Sequence, residues 1–180
     1  MEERELCYSG GFSLFLDIPR SRLEFPERIV HSLSMEIHEV QTPISQDMAD
    51  RLAVVFKEAF GTPPSAPFPG RLNEKQDLSV LVAEESGQLM GLKVGYTCFR
   101  GVFFSWLGAV LPSHQRRGIA RALLQRQHGL CQERGFGEIQ TEAAGSNREI
   151  LVLDIQEGFE VSGMHLGNGD QLTVQLRKRL

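Results

Sequence analysis

The sequence lacks the patterns that mark several common classes of protein. It has three cysteines, Cys7, Cys98 and Cys131, and no CxxC pair, so it supports neither a disulfide framework nor a zinc site. It has no run of about 18 apolar residues, so we expect no membrane span. The acidic start MEERELCYSGG lacks the basic and apolar regions of a signal peptide. These absences favour a cytoplasmic protein kept in the reduced state.

Two familiar phosphate-binding motifs are missing as well. Neither GxxxxGK[ST] nor GxGxxG occurs, which argues against a P-loop NTPase and a Rossmann dinucleotide site. The formal net charge is -4, whereas general nucleic-acid binders are usually basic, so we expect no nucleic-acid partner. His128 and Cys131 are spaced to share a helix face, but they have no partner ligands, and we expect no metal.

What is present indicates one globular domain with a mixed sheet. Of the residues, 41% are hydrophobic, which is enough for a core. The predicted order begins with a strand from Met35, a helix over 42–60 capped by Thr42 or Ser45, and an irregular proline-rich loop over 61–70. Three strands in 78–111 follow, and then a helix over 118–134, a strand over 138–144 and a helix over 147–157. The chain ends in a hairpin that turns at Asn168 and Gly169. The meander is antiparallel and the helical crossovers are parallel, which predicts helices on the faces of a mixed sheet.

Residues 1–34 differ from the rest of the chain. They contain the apolar segment FSLFLDI and two prolines, but no long periodic pattern. We interpret them as an N-terminal extension of uncertain structure, with an ordered extra strand as the alternative. The domain itself is then expected over residues 35–180.

The segment LPSHQRRGIARALL places positive charge at the start of a helix. A helix N-terminus has about four unpaired N–H groups and roughly half a positive charge, which attract an anion. Gly118 lets a ligand approach the backbone closely, and Arg116 and Arg117 add charge beside it. This combination predicts a diphosphate site. The alternative is a solvated helix start in which Gly118 is only a turn residue.

The pattern Gln115-x-x-Gly118-x-Ala120 resembles the acetyl-CoA-binding motif Q/R-x-x-G-x-G/A of the GCN5-related N-acetyltransferase (GNAT) superfamily. The strand SWLGAVLP precedes it, and NREILVLDIQEGF resembles the family's N-x-x-A-x-x-L-Y-x-x-x-G-F block. The resemblance implies an α+β fold, an αβα sandwich with a mixed, mostly antiparallel central sheet and helices on both faces. It also implies acetyl-CoA as co-substrate and a GNAT domain over 35–180.

In the family, acetyl-CoA lies between two parallel strands that a bulge in the fourth strand holds apart. The resemblance makes Gly108, Ala109 and Val110 the strand edge that pairs with the pantetheine arm. Asn147 would contact this arm or act as an ordinary helix N-cap, and both roles can hold together. The cofactor-binding residues implied in this way are Ala109, Val110, Leu111, Gln115, Arg116, Arg117, Gly118, Ile119, Ala120, Arg121 and Asn147.

The reaction implied by the resemblance is direct transfer of an acetyl group from the thioester to an amine. The amine must be neutral to attack, so a base or a water relay helps. Glu142, His114 and Ser105 are the candidate bases. The developing oxyanion needs a hydrogen-bond donor, for which the Val110 amide is the candidate.

Asp154 stands where the family often has a tyrosine that protonates the departing thiolate. An aspartate is normally ionised at neutral pH, and we interpret Asp154 as an ordinary carboxylate on the helix surface. Water or Ser146 would then supply the proton.

The favoured function is an N-acetyltransferase that acts on a primary amine of a small molecule or a peptide. The missing tyrosine keeps open a non-catalytic acyl-CoA sensor or regulatory module with the same fold. A third alternative, an interaction domain without a nucleotide ligand, predicts no protection from unfolding by acetyl-CoA. Homodimers are common in the family, but no stripe of residues here demands one.

Overall fold

A seven-stranded sheet with helices packed on it forms the described part of the chain. The computed structural model describes residues 35–64, 68–167 and 170–180. In chain order the elements are β1 (Glu36–Glu39), α1 (Gln46–Phe60), α2 (Phe68–Asn73), β2 (Ser79–Glu85), β3 (Gln88–Phe99), β4 (Val102–Val110), α3 (Ile119–Glu133), β5 (Glu138–Ala144), α4 (Arg148–Gln156), β6 (Glu160–Leu166) and β7 (Leu172–Arg179).

The sheet is mixed and mostly antiparallel, as expected. Its strand order is β1-β2-β3-β4-β5-β7-β6. β4 and β5 form the parallel pair, joined by the α3 crossover, and the other neighbouring pairs are antiparallel. The predicted α+β architecture is therefore confirmed.

The two faces of the sheet bury different cores. One core packs α1 and α2 against β2, β3 and β4, and it includes Leu52, Leu72, Leu92 and Val94. The other face carries α3 and α4. Because side chains alternate along a strand, Lys93, between Leu92 and Val94, is directed to the α3 face.

The first helix begins later than the sequence predicts. Ser45 is the N-cap of α1, and its Oγ accepts a hydrogen bond from the Met48 N–H at 3.3 Å. Gly61 ends the helix with φ +73, and its N–H donates to the Lys57 carbonyl at 2.8 Å. Of the two predicted caps, Ser45 is thus the one used.

The prediction of an irregular chain over 61–70 is wrong at its end, because α2 begins at Phe68. Phe68 and Leu72 lie one turn apart and both are buried in the core beneath α1. Asn73 anchors the end of α2, since its Oδ1 accepts from the Ile44 N–H at 2.8 Å and its Nδ2 donates to the Ile44 carbonyl at 3.1 Å.

Two sequence-based predictions lie outside the described residues, namely the N-terminal extension and the turn at Asn168 and Gly169. β6 and β7, which precede and follow residues 168 and 169 in the chain, are antiparallel. Among the described helices, none combines the length and the apolar character needed to cross a membrane.

Candidate active site

Two neighbouring parallel strands separate part-way along their length. β4 and β5 pair only over residues 102–105 and 138–141, and beyond this point β4 stays with β3 while β5 stays with β7. The last connection is buried, since Thr141 Oγ1 donates a hydrogen bond to the Ser105 carbonyl at 2.8 Å. An opening therefore lies between the carboxyl ends of the two strands.

A β-bulge lies where the strands separate. Val94 of β3 pairs with Leu107, and Gly95 pairs with Ser105, so Trp106 is an extra residue in β4. Trp106 and Leu107 consequently both pack against the core on the α1 face. The bulge that the resemblance implies in the fourth strand is therefore present in β4. The extra residue reverses the alternation of side chains in the rest of this strand.

Beyond the bulge, the peptide groups of β4 alternate between β3 and the opening. The Leu111 N–H donates to a β3 carbonyl at 2.8 Å, so the peptide groups of Ala109 and Leu111 are directed to β3. Those of Gly108 and Val110 point to the other edge, from which β5 has separated. Gln115 Nε2 donates to the Val110 carbonyl at 3.3 Å and ties the following loop to the end of the strand.

The loop after β4 enters α3 with a row of free amides. Arg116 has φ +63 and Gly118, the N-cap, has φ +82. The first hydrogen bond of the helix runs from the Ala122 N–H to the Gly118 carbonyl at 3.0 Å. Within the described residues, no acceptor takes a hydrogen bond from the peptide N–H groups of residues 116–121. A side-chain carbon on Gly118 would meet nothing within 4 Å, so this row is open and fits an anionic diphosphate.

The two loop arginines are paired with carboxylates. Arg116 Nη1 lies 3.3 Å from Glu149 Oε1, with both side chains more than half exposed. Arg117 Nη2 lies 3.5 Å from Glu85 Oε2. The exposed Arg116–Glu149 pair contributes only about 0–1 kcal/mol, so the Arg116 guanidinium can exchange its partner for a phosphate. The Arg117–Glu85 pair is partly buried.

The first turn of α3 can meet a ligand through its peptide groups rather than its side chains. Ile119 is buried in the core beneath α3, and Ala120 is partly buried. The Arg121 guanidinium contacts the Glu157 carboxylate and donates to Gln156 Oε1 at 2.6 Å. Arg121 therefore links α3 to the end of α4.

Asn147 is the N-cap of α4. Its Oδ1 accepts from the Ile150 N–H at 3.3 Å, and the residue is buried. The capping role is thereby confirmed, while contact with a pantetheine arm stays a prediction. Ser146 is exposed in the turn before this cap.

The three candidate bases are not brought together. Glu142 lies one residue beyond the last β4–β5 pair, is partly buried, and accepts from Gln175 Nε2 at 3.1 Å. His114 lies past the far end of β4, where its Nδ1 is 2.8 Å from Ser113 Oγ. Ser105 is buried and its Oγ has no hydrogen-bond partner among the described residues. Of the three, Glu142 is the partly exposed group beside the opening.

A comparison with protein families finds a match to the segment that contains this arrangement. Residues 76–153 match the model described as an acetyltransferase (GNAT) domain. This range includes the opening, the loop and α3. The matched segment, somewhat less than half of the chain, is therefore similar to a GNAT acetyltransferase domain. A search of curated proteins finds no significant match.

Solved structures share the GNAT fold at low sequence identity. The ribosomal-protein-S18-alanine N-acetyltransferase from Escherichia coli is 17% identical with a TM-score of 0.71, over 81% of this chain and 93% of that one. Ard1 from Thermoplasma volcanium is 17% identical with a TM-score of 0.70, over 81% and 97%. A GNAT family acetyltransferase from Elizabethkingia anophelis with acetyl-CoA bound is 16% identical with a TM-score of 0.61, over 81% and 98%.

The interpretation of Asp154 as a surface carboxylate is wrong. The residue is only 3% exposed, and its Oδ2 has no hydrogen-bond partner. Burial raises the pKa of Asp154 to about 6, against the opposing effect of Lys93. Helix α4 exposes the apolar Val152 and Ile155 and turns Asp154 inward.

Sequence reasoning did not single out Lys93, which pairs with Gly108 beside the opening. Burial lowers the pKa of this ammonium below 10.5, and Asp154 opposes that effect. The signal was a lysine in the middle of the apolar strand segment LMGLKVG. A lysine at such a position usually extends its ammonium group to solvent, so its presence in an apolar strand does not by itself indicate a functional site.

Proposed function

We propose that this GNAT domain transfers an acetyl group from acetyl-CoA to a primary amine of a small molecule or a peptide. The observation that carries the proposal is the open row of peptide amides over residues 116–121, directly beside the opening between β4 and β5. Amides at a helix N-terminus suit a diphosphate, and a free strand edge suits the amides of a pantetheine arm. Acetyl-CoA, when bound, supplies an activated acetyl thioester.

The residues of this chain divide the work of binding between loop and strand. The peptide N–H groups from Arg116 to Arg121 hold the diphosphate, with Arg116 and Arg117 adding charge. The peptide groups of Gly108 and Val110 are directed into the opening and serve the pantetheine arm. The Val110 N–H, as the candidate oxyanion donor, stabilises negative charge on the acetyl oxygen.

Glu142 is the base that we assign to the acceptor amine. Its carboxylate is partly buried at the point where β4 and β5 part, and Gln175 holds one of its oxygens. An amine near pKa 10 is almost wholly protonated at neutral pH, so a carboxylate that takes its proton raises the reactive fraction. His114 is the second candidate, although its place at the far end of β4 favours it less.

Calorimetry and a thiol-release assay together test the proposal. We expect acetyl-CoA to release heat on titration and a panel of small amines and peptide N-termini to accelerate thiol release. Binding without release for any amine would favour the acyl-CoA sensor. Failure of acetyl-CoA to bind would overturn both functions.

A further inference from the structure

Lys93 places an ammonium group at the opening. It pairs with Gly108 across β3 and β4, and Gly108 lies beyond the last β4–β5 pair. The absence of a side chain on Gly108 gives Lys93 its path, since a Cβ there would lie 3.3 Å from Lys93 Cδ and 3.5 Å from Lys93 Nζ. The side chain thus crosses β4 at a residue whose peptide groups face the opening.

Asp154 approaches the same place from α4. It is buried, and its Oδ2 has no hydrogen-bond partner. Lys93 and Asp154 interact electrostatically, yet no direct ion pair joins them within the described residues. The Asp154 carboxylate and the Lys93 ammonium group therefore lie near each other, and both can still form hydrogen bonds.

The other charged groups nearby are already engaged. His128 on α3 has its pKa lowered to about 4, chiefly by burial and then by Lys178 and Lys93, so it is neutral at physiological pH. Lys178 on β7 donates to the Glu157 carbonyl at 2.7 Å and lies 3.1 Å from His128 Nδ1. Of the two lysines whose charges act on His128, Lys93 is therefore the one whose ammonium group is still available.

We infer that Lys93 donates the proton to the departing sulfur of acetyl-CoA, and that Asp154 is the residue that positions its ammonium group. The inference rests on the proposed function. As the carbon–sulfur bond breaks, its electron pair stays on sulfur. The Lys93 N–H bond then breaks and a sulfur–hydrogen bond forms, which leaves a neutral lysine that solvent reprotonates. The proton lost by the acceptor amine goes to Glu142 or to water.

The environment of Lys93 suits this step. Burial lowers the pKa of Lys93, which makes the proton easier to lose than that of an exposed lysine. Asp154 works against this effect and keeps the ammonium charged until the sulfur needs its proton. The tyrosine that the family often uses is therefore replaced here by a lysine from β3 and an aspartate from α4.

The first experiment titrates the thiol of coenzyme A bound to the full-length protein, followed by thiolate absorbance in the ultraviolet. Since an ammonium group beside sulfur favours the thiolate, we expect the midpoint to lie about 1–3 pH units lower in the wild type than in Lys93→Met. Lys93→Arg should keep a low midpoint. Lys75→Met is the control, because Lys75 lies over the rings of Tyr96 and Trp106 on the opposite face.

Equal midpoints in the wild type and Lys93→Met would overturn the inference while leaving the proposed function intact. If coenzyme A does not bind the wild type, the proposed function itself fails. Should Lys93→Met not fold, Lys93→Met combined with Asp154→Asn removes both buried charges, and the same high midpoint is expected from it.

The second experiment separates positioning by Asp154 from a structural role. Because Asp154 raises the pKa of Lys93, Asp154→Asn should move the alkaline limb of the kcat profile to lower pH. Lys93→Met should lower kcat about 100-fold with little change in KM for acetyl-CoA. A uniform fall in kcat across the pH range for Asp154→Asn, with the limb unmoved, would contradict the positioning role.

Discussion

Two buried side chains on neighbouring helices respond to pH in opposite directions. Burial raises the pKa of Asp154 from 3.8 to about 6, and burial together with Lys178 lowers that of His128 from 6.5 to about 4. The stability due to Asp154 is complete below pH 3.8 and is lost as the pH rises through 6. The stability due to His128 is complete above pH 6.5 and is lost as the pH falls through 4. The two effects largely cancel in the wild type.

Asp154→Asn should remove the pH dependence of stability that is due to Asp154 and leave that due to His128. The amide carries no charge, so the penalty of an ionised, buried carboxylate disappears at neutral pH. We expect the stability of this variant relative to the wild type to increase by about 3 kcal/mol between pH 4 and pH 7. Urea unfolding followed by circular dichroism measures this change in relative stability. Asp50→Asn, the same substitution on the exposed side of α1, is the control.

Gly118→Glu should abolish binding of acetyl-CoA and leave the fold intact. The position has φ +82 and open space around it, so the cost to folding is about 1–2 kcal/mol, whereas a carboxylate repels the diphosphate. Gly101→Glu is a matched control, because Gly101 has φ +77, open space and a place at the other end of β4. Calorimetry should show binding weakened at least ~100-fold only in Gly118→Glu. Similar losses in both variants would argue against the loop assignment.

At the scale of elements, Asn147 caps α4 and is also predicted to contact the pantetheine arm, and these two roles can be tested separately. Asn147→Ala removes the acceptor for the Ile150 N–H and should cost about 1 kcal/mol of stability. Ser45→Ala removes the equivalent cap of α1 at a similar cost. If Asn147 also contacts the pantetheine arm, the rise in Tm given by acetyl-CoA should shrink in Asn147→Ala and stay unchanged in Ser45→Ala. Equal rises in both variants would leave Asn147 as a cap alone.

Apart from α2, the order of elements could be read from the sequence, but the registers could not. Helix and strand periods depend on spacing within a segment, so α1, α3 and the meander were predicted with errors of a few residues at their ends. The extra residue at Trp106 reverses the alternation in β4, and it is visible only in the pairing of Val94 and Gly95 with their partners. Likewise, α2 forms because Phe68 and Leu72 reach a core supplied by distant segments.

At the scale of the whole molecule, acetyl-CoA should stabilise the fold. A ligand that binds only the folded state, at 100 times its Kd, adds about 2.7 kcal/mol, or roughly 5–10 °C in Tm for a domain of this size. Pantetheine lacks the diphosphate and should protect much less at the same concentration. Thermal unfolding of the full chain with each ligand measures this. Equal protection by both would contradict diphosphate binding by the amide row, and no protection by either would favour an interaction domain.

The sequence by itself determined the succession of helices and strands apart from α2, the glycine at the start of α3 and the two blocks that resemble the GNAT family. These depend on neighbouring residues, whose conformational preferences act locally. Only the tertiary structure decided that Asp154 is buried, that Lys93 crosses β4 at Gly108, and that the Val110 amide faces the opening. Each of these depends on contacts between segments far apart in the chain, which hydrophobic spacing alone does not specify.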